Sequence, residues 1–277
     1  MGNFIDPFLN NGFLQRALLA GVLLSITCAV VGTYVILRGM AFIGDALAHG
    51  VLPGVAGAVI LGLPAMLGAA VGAGVMVAGV GLITARSKLS NDTAIGLIFI
   101  GLLALGVVLI SSSESLTGDL EVILFGQFLG VTGIDVLIQS LAVIFVAGVS
   151  LFASRPFLLL CFDTDLARVM GYRAQWYHYL MLTMIAATVV VSFQTVGSLL
   201  VFGMLLAPAG AGALLAKRVA SMMLWAALVG VISTYLGLLV SYHFSWAAGA
   251  SVVLTAVTIF FLVLLITSMK KRESGQV

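Results

Sequence analysis

Residues 37–56 read LRGMAFIGDALAHGVLPGVA. A basic turn, Arg38-Gly39, opens the stretch, and an apolar run from about 42 to 62 follows it. That run carries one carboxylate, Asp45, one imidazole, His49, and a proline, Pro53. Roughly 20 apolar residues suffice for a helix to cross the hydrocarbon layer, so the run is a membrane span entered from a positively charged turn. Working outward, the same unit recurs along the chain. Apolar runs of that kind lie near 17–37, 42–62, 65–85, 93–111, 133–153, 178–195, 197–215, 222–242 and 247–267.

The composition agrees. Of 277 residues 62% are hydrophobic and 8% charged, with a mean hydropathy of +1.26, values that belong to a polytopic membrane protein. Backbone groups in lipid must be satisfied within the segment, so apolar runs of this length are helices. The expected fold is all-α, a helical bundle of nine spans, with eight as the alternative because the break at Gln194 to Gly197 is short and polar rather than charged. Every second connection is basic: Arg38; Arg86 and Lys88; Arg155, Arg168 and Arg173; Lys217 and Arg218; Lys270, Lys271 and Arg272. By the positive-inside rule, nine spans put the C-terminus in the cytoplasm, the N-terminus outside, and the acidic loop 112–121, SSESLTGDLE, outside as well.

The net charge of +2 gives no reason to expect nucleic acid. No basic region and small-residue cleavage site precede the first apolar run, so that run is expected to stay as a membrane anchor. Cys28 falls in a span and Cys161 in a cytoplasmic segment, which keeps them apart. Small residues four apart, Gly54 and Ala58 or Gly68 and Gly72, allow close helix packing where lipid offers no hydrophobic drive. No repeat or linker divides the chain, so residues 1–277 form one transmembrane domain.

Asp45 and His49 stand out because a charged side chain inside a span costs about 2.5 to 3.5 kcal/mol or more. Four residues is close to one helical turn, so both project from the same face. A carboxylate oxygen beside an imidazole nitrogen is half a site for a divalent cation. Carboxylate suits manganese, imidazole suits zinc, and the mixture admits iron. Two such helices about a two-fold axis would supply four ligands. Pro53 cannot donate to the carbonyl of His49, so a kink is expected at that level. Two other readings stay open on spacing alone: Asp45 as a helix cap with His49 in an interhelical hydrogen bond, or the pair as a proton relay in a secondary, proton-coupled transporter. His178 and His243, at span ends, read as solvated.

Several enzymatic signatures are missing. None of the four lysines follows a glycine, so no P-loop exists and ATP coupling must come from a partner. Phe42-Ile-Gly-Asp45 lacks the Gly-x-Gly-Asp of intramembrane aspartyl proteases, and no His-Glu-x-x-His or Gly-x-Ser-x-Gly stretch occurs.

Four blocks resemble a known family: 37–56, given above; 119–138, DLEVILFGQFLGVTGIDVLI; 194–215, QTVGSLLVFGMLLAPAGAGALL; and 236–254, LGLLVSYHFSWAAGASVVL. They are similar to the membrane permease subunits, type 3, of ATP-binding-cassette importers for zinc, manganese and chelated iron. The resemblance implies a metal- and cobalamin-importer-like permease fold without catalytic residues or an intrinsic cofactor, sited in the bacterial inner membrane. It implies a homodimer of permeases in lipid with two cytoplasmic P-loop ATPases and an extracytoplasmic metal-binding protein. It gives Asp45 and His49 the role of metal ligands on the path, where Pro53 and Gln194 mark helix breaks, and manganese or zinc the role of cargo. The cytoplasmic segment 155–177 contains FDTDLARVMG at 162–171. There Asp163 or Thr164 can cap a short helix through Arg168 that stops at Gly171. The resemblance makes this a coupling helix carried by Asp163, Asp165, Arg168 and Gly171, with Asp-Thr-Asp where the family often has Asp-Pro-Glu.

Overall fold

In a computed structural model, residue 8 and residues 11–111 and 128–273 are described. The expected outer loop 112–121 lies outside them. Eleven α-helices occur among the described residues: α1 (Gly12–Leu37), α2 (Ile43–Gly50), α3 (Leu52–Ile60), α4 (Ala65–Arg86), α5 (Asn91–Ser111), α6 (Gly133–Phe152), α7 (Ser154–Phe162), α8 (Thr164–Val169), α9 (Ala174–Leu215), α10 (Val219–Phe244) and α11 (Ala248–Glu273). No strand occurs among them. Helix α1 lies at the centre, burying Leu14, Leu24, Val31 and Tyr34, and packs against α6, α9 and α10. The outer faces of α5, α6 and α11 are apolar and exposed, as a lipid-facing surface must be.

Eight helical segments are long and apolar enough to cross a membrane, with α2 and α3 counted together as Ile43–Ile60. The ninth expected span is the return half of α9. That helix runs out as Ala174–Phe193, breaks at Gly197, and continues as Leu200–Leu215, whose 16 residues fall short of the others. Gly197 has φ 76° and ψ 163°, a conformation essentially reserved for glycine. The break reverses the chain. His178 Nδ1, near the start of α9, lies 3.3 Å from Arg38 Nη2 at the end of α1. A methyl on Gly210, near the end of α9, would lie 3.9 Å from Ile36 Cδ1. Both ends of α9 therefore sit at the same end of α1. In the return arm Gly203 faces Val253 and Gly210 faces Phe260, so that arm runs parallel to α11.

Each basic connection thereby collects on one face, as the positive-inside reading requires. Arg38 Nη1 donates to the carbonyl of Leu160 at 2.6 Å, tying the first basic turn to α7. Small residues set the closest approaches. A Cβ on Gly54 would collide with the carbonyl oxygen of Gly68, and one on Gly68 with the carbonyl oxygen of Gly54 and the methyl of Ala58. The glycine pairs legible in the sequence are thus the contact between α3 and α4, where van der Waals packing replaces a hydrophobic drive. The buried hydroxyl of Ser25 is satisfied within its span and across to α10: its Oγ donates to the carbonyl of Gly21 at 2.6 Å and lies 3.2 Å from Thr234 Oγ1. Both cysteines are free thiols.

Candidate metal site

Helix α2 is eight residues long, with Asp45 in its first turn and His49 in its last. Asp45 Oδ1 and His49 Nε2 are 3.5 Å apart, with side chains 38% and 27% exposed. One turn of helix brings them together. The capping alternative has no support in the geometry: the N-cap residue is Phe42 and no side chain caps the helix. The imidazole instead leans on Phe99 of α5, with ring centroids 6.2 Å apart at 49°.

Two features give the pair its depth. Methyls on Gly32 and on Gly44 would both meet Leu205, so Asp45 is level with Gly32. Gly32 precedes the end of α1 by five residues, and at 1.5 Å per residue Asp45 sits about 8 Å inside the basic face and His49 about 6 Å deeper. Asp45 opens into a cavity of about 320 Å³ lined also by Phe42, Asp92, Thr93 and Phe99. A second carboxylate thus shares the space, strengthening its attraction for a cation.

The 3.5 Å separation would suit a transition metal. A cation about 2.1 Å from both atoms would see them at about 110°, close to the tetrahedral angle, and a small side-chain rotation would bring the right angle of octahedral coordination. Among the described residues no group of three or more His, Cys, Asp or Glu side chains could hold a metal ion. Asp45 and His49 are thus two candidate ligands, with no third such side chain grouped with them among the described residues.

Pro53 lies in the first turn of α3, and α2 and α3 part at Val51, whose φ of −79° and ψ of −17° keep the chain near helical geometry. The proline seats against Gly106 of α5, where a Cβ would come within 3.2 Å of its Cδ. Gln194 lies in α9 three residues before the break at Gly197.

The residues singled out on the basic side do not join Asp45 and His49. They build α8. Asp163 Oδ1 accepts from the backbone N–H of Asp165 at 2.8 Å and of Leu166 at 3.1 Å. Arg168 Nη1 donates to Asp165 Oδ1 at 2.8 Å. Gly171, with φ 85°, ends the helix, its N–H reaching the carbonyl of Arg168 at 3.0 Å. Phe162, Val169 and Met170 stand exposed around this helix.

Two residues escaped the sequence reading. Asp92, in the first turn of α5, reads as an inexpensive charge at a span end, and only the fold brings it to the cavity beside Asp45. His178 reads as solvated, and the structure corrects this: it meets Arg38, and its Nε2 is buried without a partner. His243 is exposed, its Nδ1 3.0 Å from the carbonyl of Leu239.

Comparison with known proteins places the chain among transporters. The model of the ABC 3 transport family matches residues 10–267. The chain is 38% identical over 262 residues to the manganese transport system membrane protein MntC of Listeria innocua, covering 95% of this chain and 93% of that protein. It is 39% identical over 271 residues to the manganese import system permease protein ScaB of Streptococcus parasanguinis, covering 98% and 96%. With the chelated iron transport system membrane protein YfeD of Yersinia pestis it shares 36% over 258 residues, 92% and 85% of the two chains. The solved structure of PsaBC from Streptococcus pneumoniae in complex with Fab superposes with a TM-score of 0.82 at 37% identity, covering 94% of each chain. An inward-facing metal-chelate type ABC transporter, at 18% identity and a TM-score of 0.72 over 91% and 84% of the chains, shares the fold.

Proposed function

Because the chain belongs to the ABC 3 transport family, we propose that it is the membrane permease of an ATP-driven importer that carries a divalent transition metal, manganese or zinc with iron admitted by the same ligands, into the bacterial cytoplasm. The observation that carries this reading is the Asp45–His49 pair, 3.5 Å apart inside a span and open to a cavity. Relatives up to 39% identical are named for manganese, which puts manganese first. Zinc rests on the ligand chemistry.

In this account the permease works as a homodimer in which two copies bring Asp45 and His49 to a common axis, giving four ligands. An extracytoplasmic binding protein delivers the ion. Two cytoplasmic P-loop ATPases, seated against α8, drive the change that passes it on. The chain is a transport component and makes no bonds itself. Its site binds modestly, since a path site must also release its ion.

The experiment is manganese uptake into vesicles containing the permease with its ATPase and binding protein. Asp45→Ala or His49→Ala should lower ATP-dependent uptake about tenfold or more, the equivalent of about 1.4 kcal/mol, with assembly and ATPase content unchanged. Normal uptake by either variant would remove the site. Uptake by the permease alone, driven by a pH gradient, would replace the ATP-driven reading with a proton-coupled one.

A further inference from the structure

A second cavity, of about 220 Å³, lies on the basic face between the ends of α1 and α4, α8 and the start of α9. Its lining includes Arg38, Arg168, His178, Thr84, Gln175 and Tyr179, and among the described residues no carboxylate lines it. The acid tied to a lining residue, Asp165, is engaged by Arg168 at 2.8 Å. Arg38 spends Nη1 on the carbonyl of Leu160 and points Nη2 at His178 Nδ1. A guanidinium only donates, so Nδ1 accepts and the imidazole proton sits on Nε2. Arg38 Nε and His178 Nε2 are then two buried N–H donors, and neither has a partner. Burial also presses the pKa of Arg38 below its ordinary value, so a negative group beside it would be favoured.

We propose that this cavity binds a phosphate group, from an anionic phospholipid of the adjoining leaflet or from free phosphate, once the Arg38 and His178 side chains turn their buried, unpartnered Nε–H and Nε2–H toward it. A phosphate presents several acceptor oxygens and a charge that suits a guanidinium. The position agrees with a headgroup as its source. The cavity is at the ends of the spans, with the exposed Tyr179 in its lining, an aromatic of the kind found where a bilayer meets water, and basic pockets between spans take anionic headgroups. This inference goes beyond the transport reading and is independent of which ion the permease carries.

The test uses the full chain, purified in detergent and stripped of lipid. Native mass spectrometry and thermal shift are recorded with dioleoyl-phosphatidylglycerol, dioleoyl-phosphatidylcholine and inorganic phosphate. Binding of phosphatidylglycerol in preference to phosphatidylcholine, at least about tenfold weaker in Arg38→Gln and His178→Phe and unchanged in Arg218→Gln, supports the proposal with lipid as the source. The same pattern with inorganic phosphate supports it with free phosphate as the source. If Arg38→Gln fails to fold, His178→Phe carries the comparison. Binding of neither probe, binding unaltered in both pocket variants, or equal weakening in Arg218→Gln would overturn it.

Discussion

Asp45 and His49 meet because four residues make one turn, and that much was legible in the spacing. What the spacing could not convey was Asp92, 43 positions beyond His49, or the burial of His178, whose partner Arg38 is 140 residues away in sequence. Contacts between helices depend on packing, and no local pattern encodes them. Cys161 offers a test at the same scale. Burial pushes its thiol from 9.0 up to about 11, with Arg38 opposing the shift. That rise lowers the thiolate fraction about a hundredfold at pH 8, and the thiolate is the nucleophile. Alkylation of Cys161 by iodoacetamide should therefore be about a hundredfold slower in the folded protein than in the denatured chain, and should accelerate until pH 11. The sign for stability follows: the folded state holds its proton where the unfolded thiol has lost it, so the contribution present below pH 9 declines as the pH rises toward 11. Equal labelling rates folded and unfolded would remove the buried thiol from the account.

Among the elements, span positions were legible to within a few residues, because lipid demands about 20 apolar residues whatever the tertiary contacts. The break between the seventh and sixth spans was visible only as a polar interruption. Its cause is Gly197, whose φ of 76° and ψ of 163° turn the chain back after the outgoing arm. The 16-residue return arm is shorter than bilayer thickness alone would dictate, since it is enclosed by α1, α10 and α11. Gly197→Ala should cost about 1 to 3 kcal/mol, read as a lower thermal midpoint in detergent, and an unchanged midpoint would mean the turn is not held in this conformation. At α8, Arg168 and Asp165 are both largely exposed, so their pair contributes about 1 kcal/mol or less. Arg168→Glu should leave folding intact, yet place two acids together on the surface proposed to meet the ATPase. The expected outcome is ATP hydrolysis that continues while transport falls severalfold. Coupling equal to that of the wild type would take Arg168 out of that role.

For the whole molecule, the alternation of basic connections forecast a bundle with one positive face, and the fold gathers Arg38, α8, the start of α9 and the end of its return arm there. The proposed two-fold assembly was not written in any single stretch. The proposal rests on one carboxylate and one imidazole in a span, with no three-membered cluster among the described residues. Two half-sites about an axis would offset the cost of carrying these groups into lipid. The most direct measurement is the stoichiometry of manganese bound to the assembled permease at equilibrium. One ion per two chains, lost in the Asp45→Ala, His49→Ala double variant, is the predicted result. One ion per chain, or binding that survives the double variant, would contradict it.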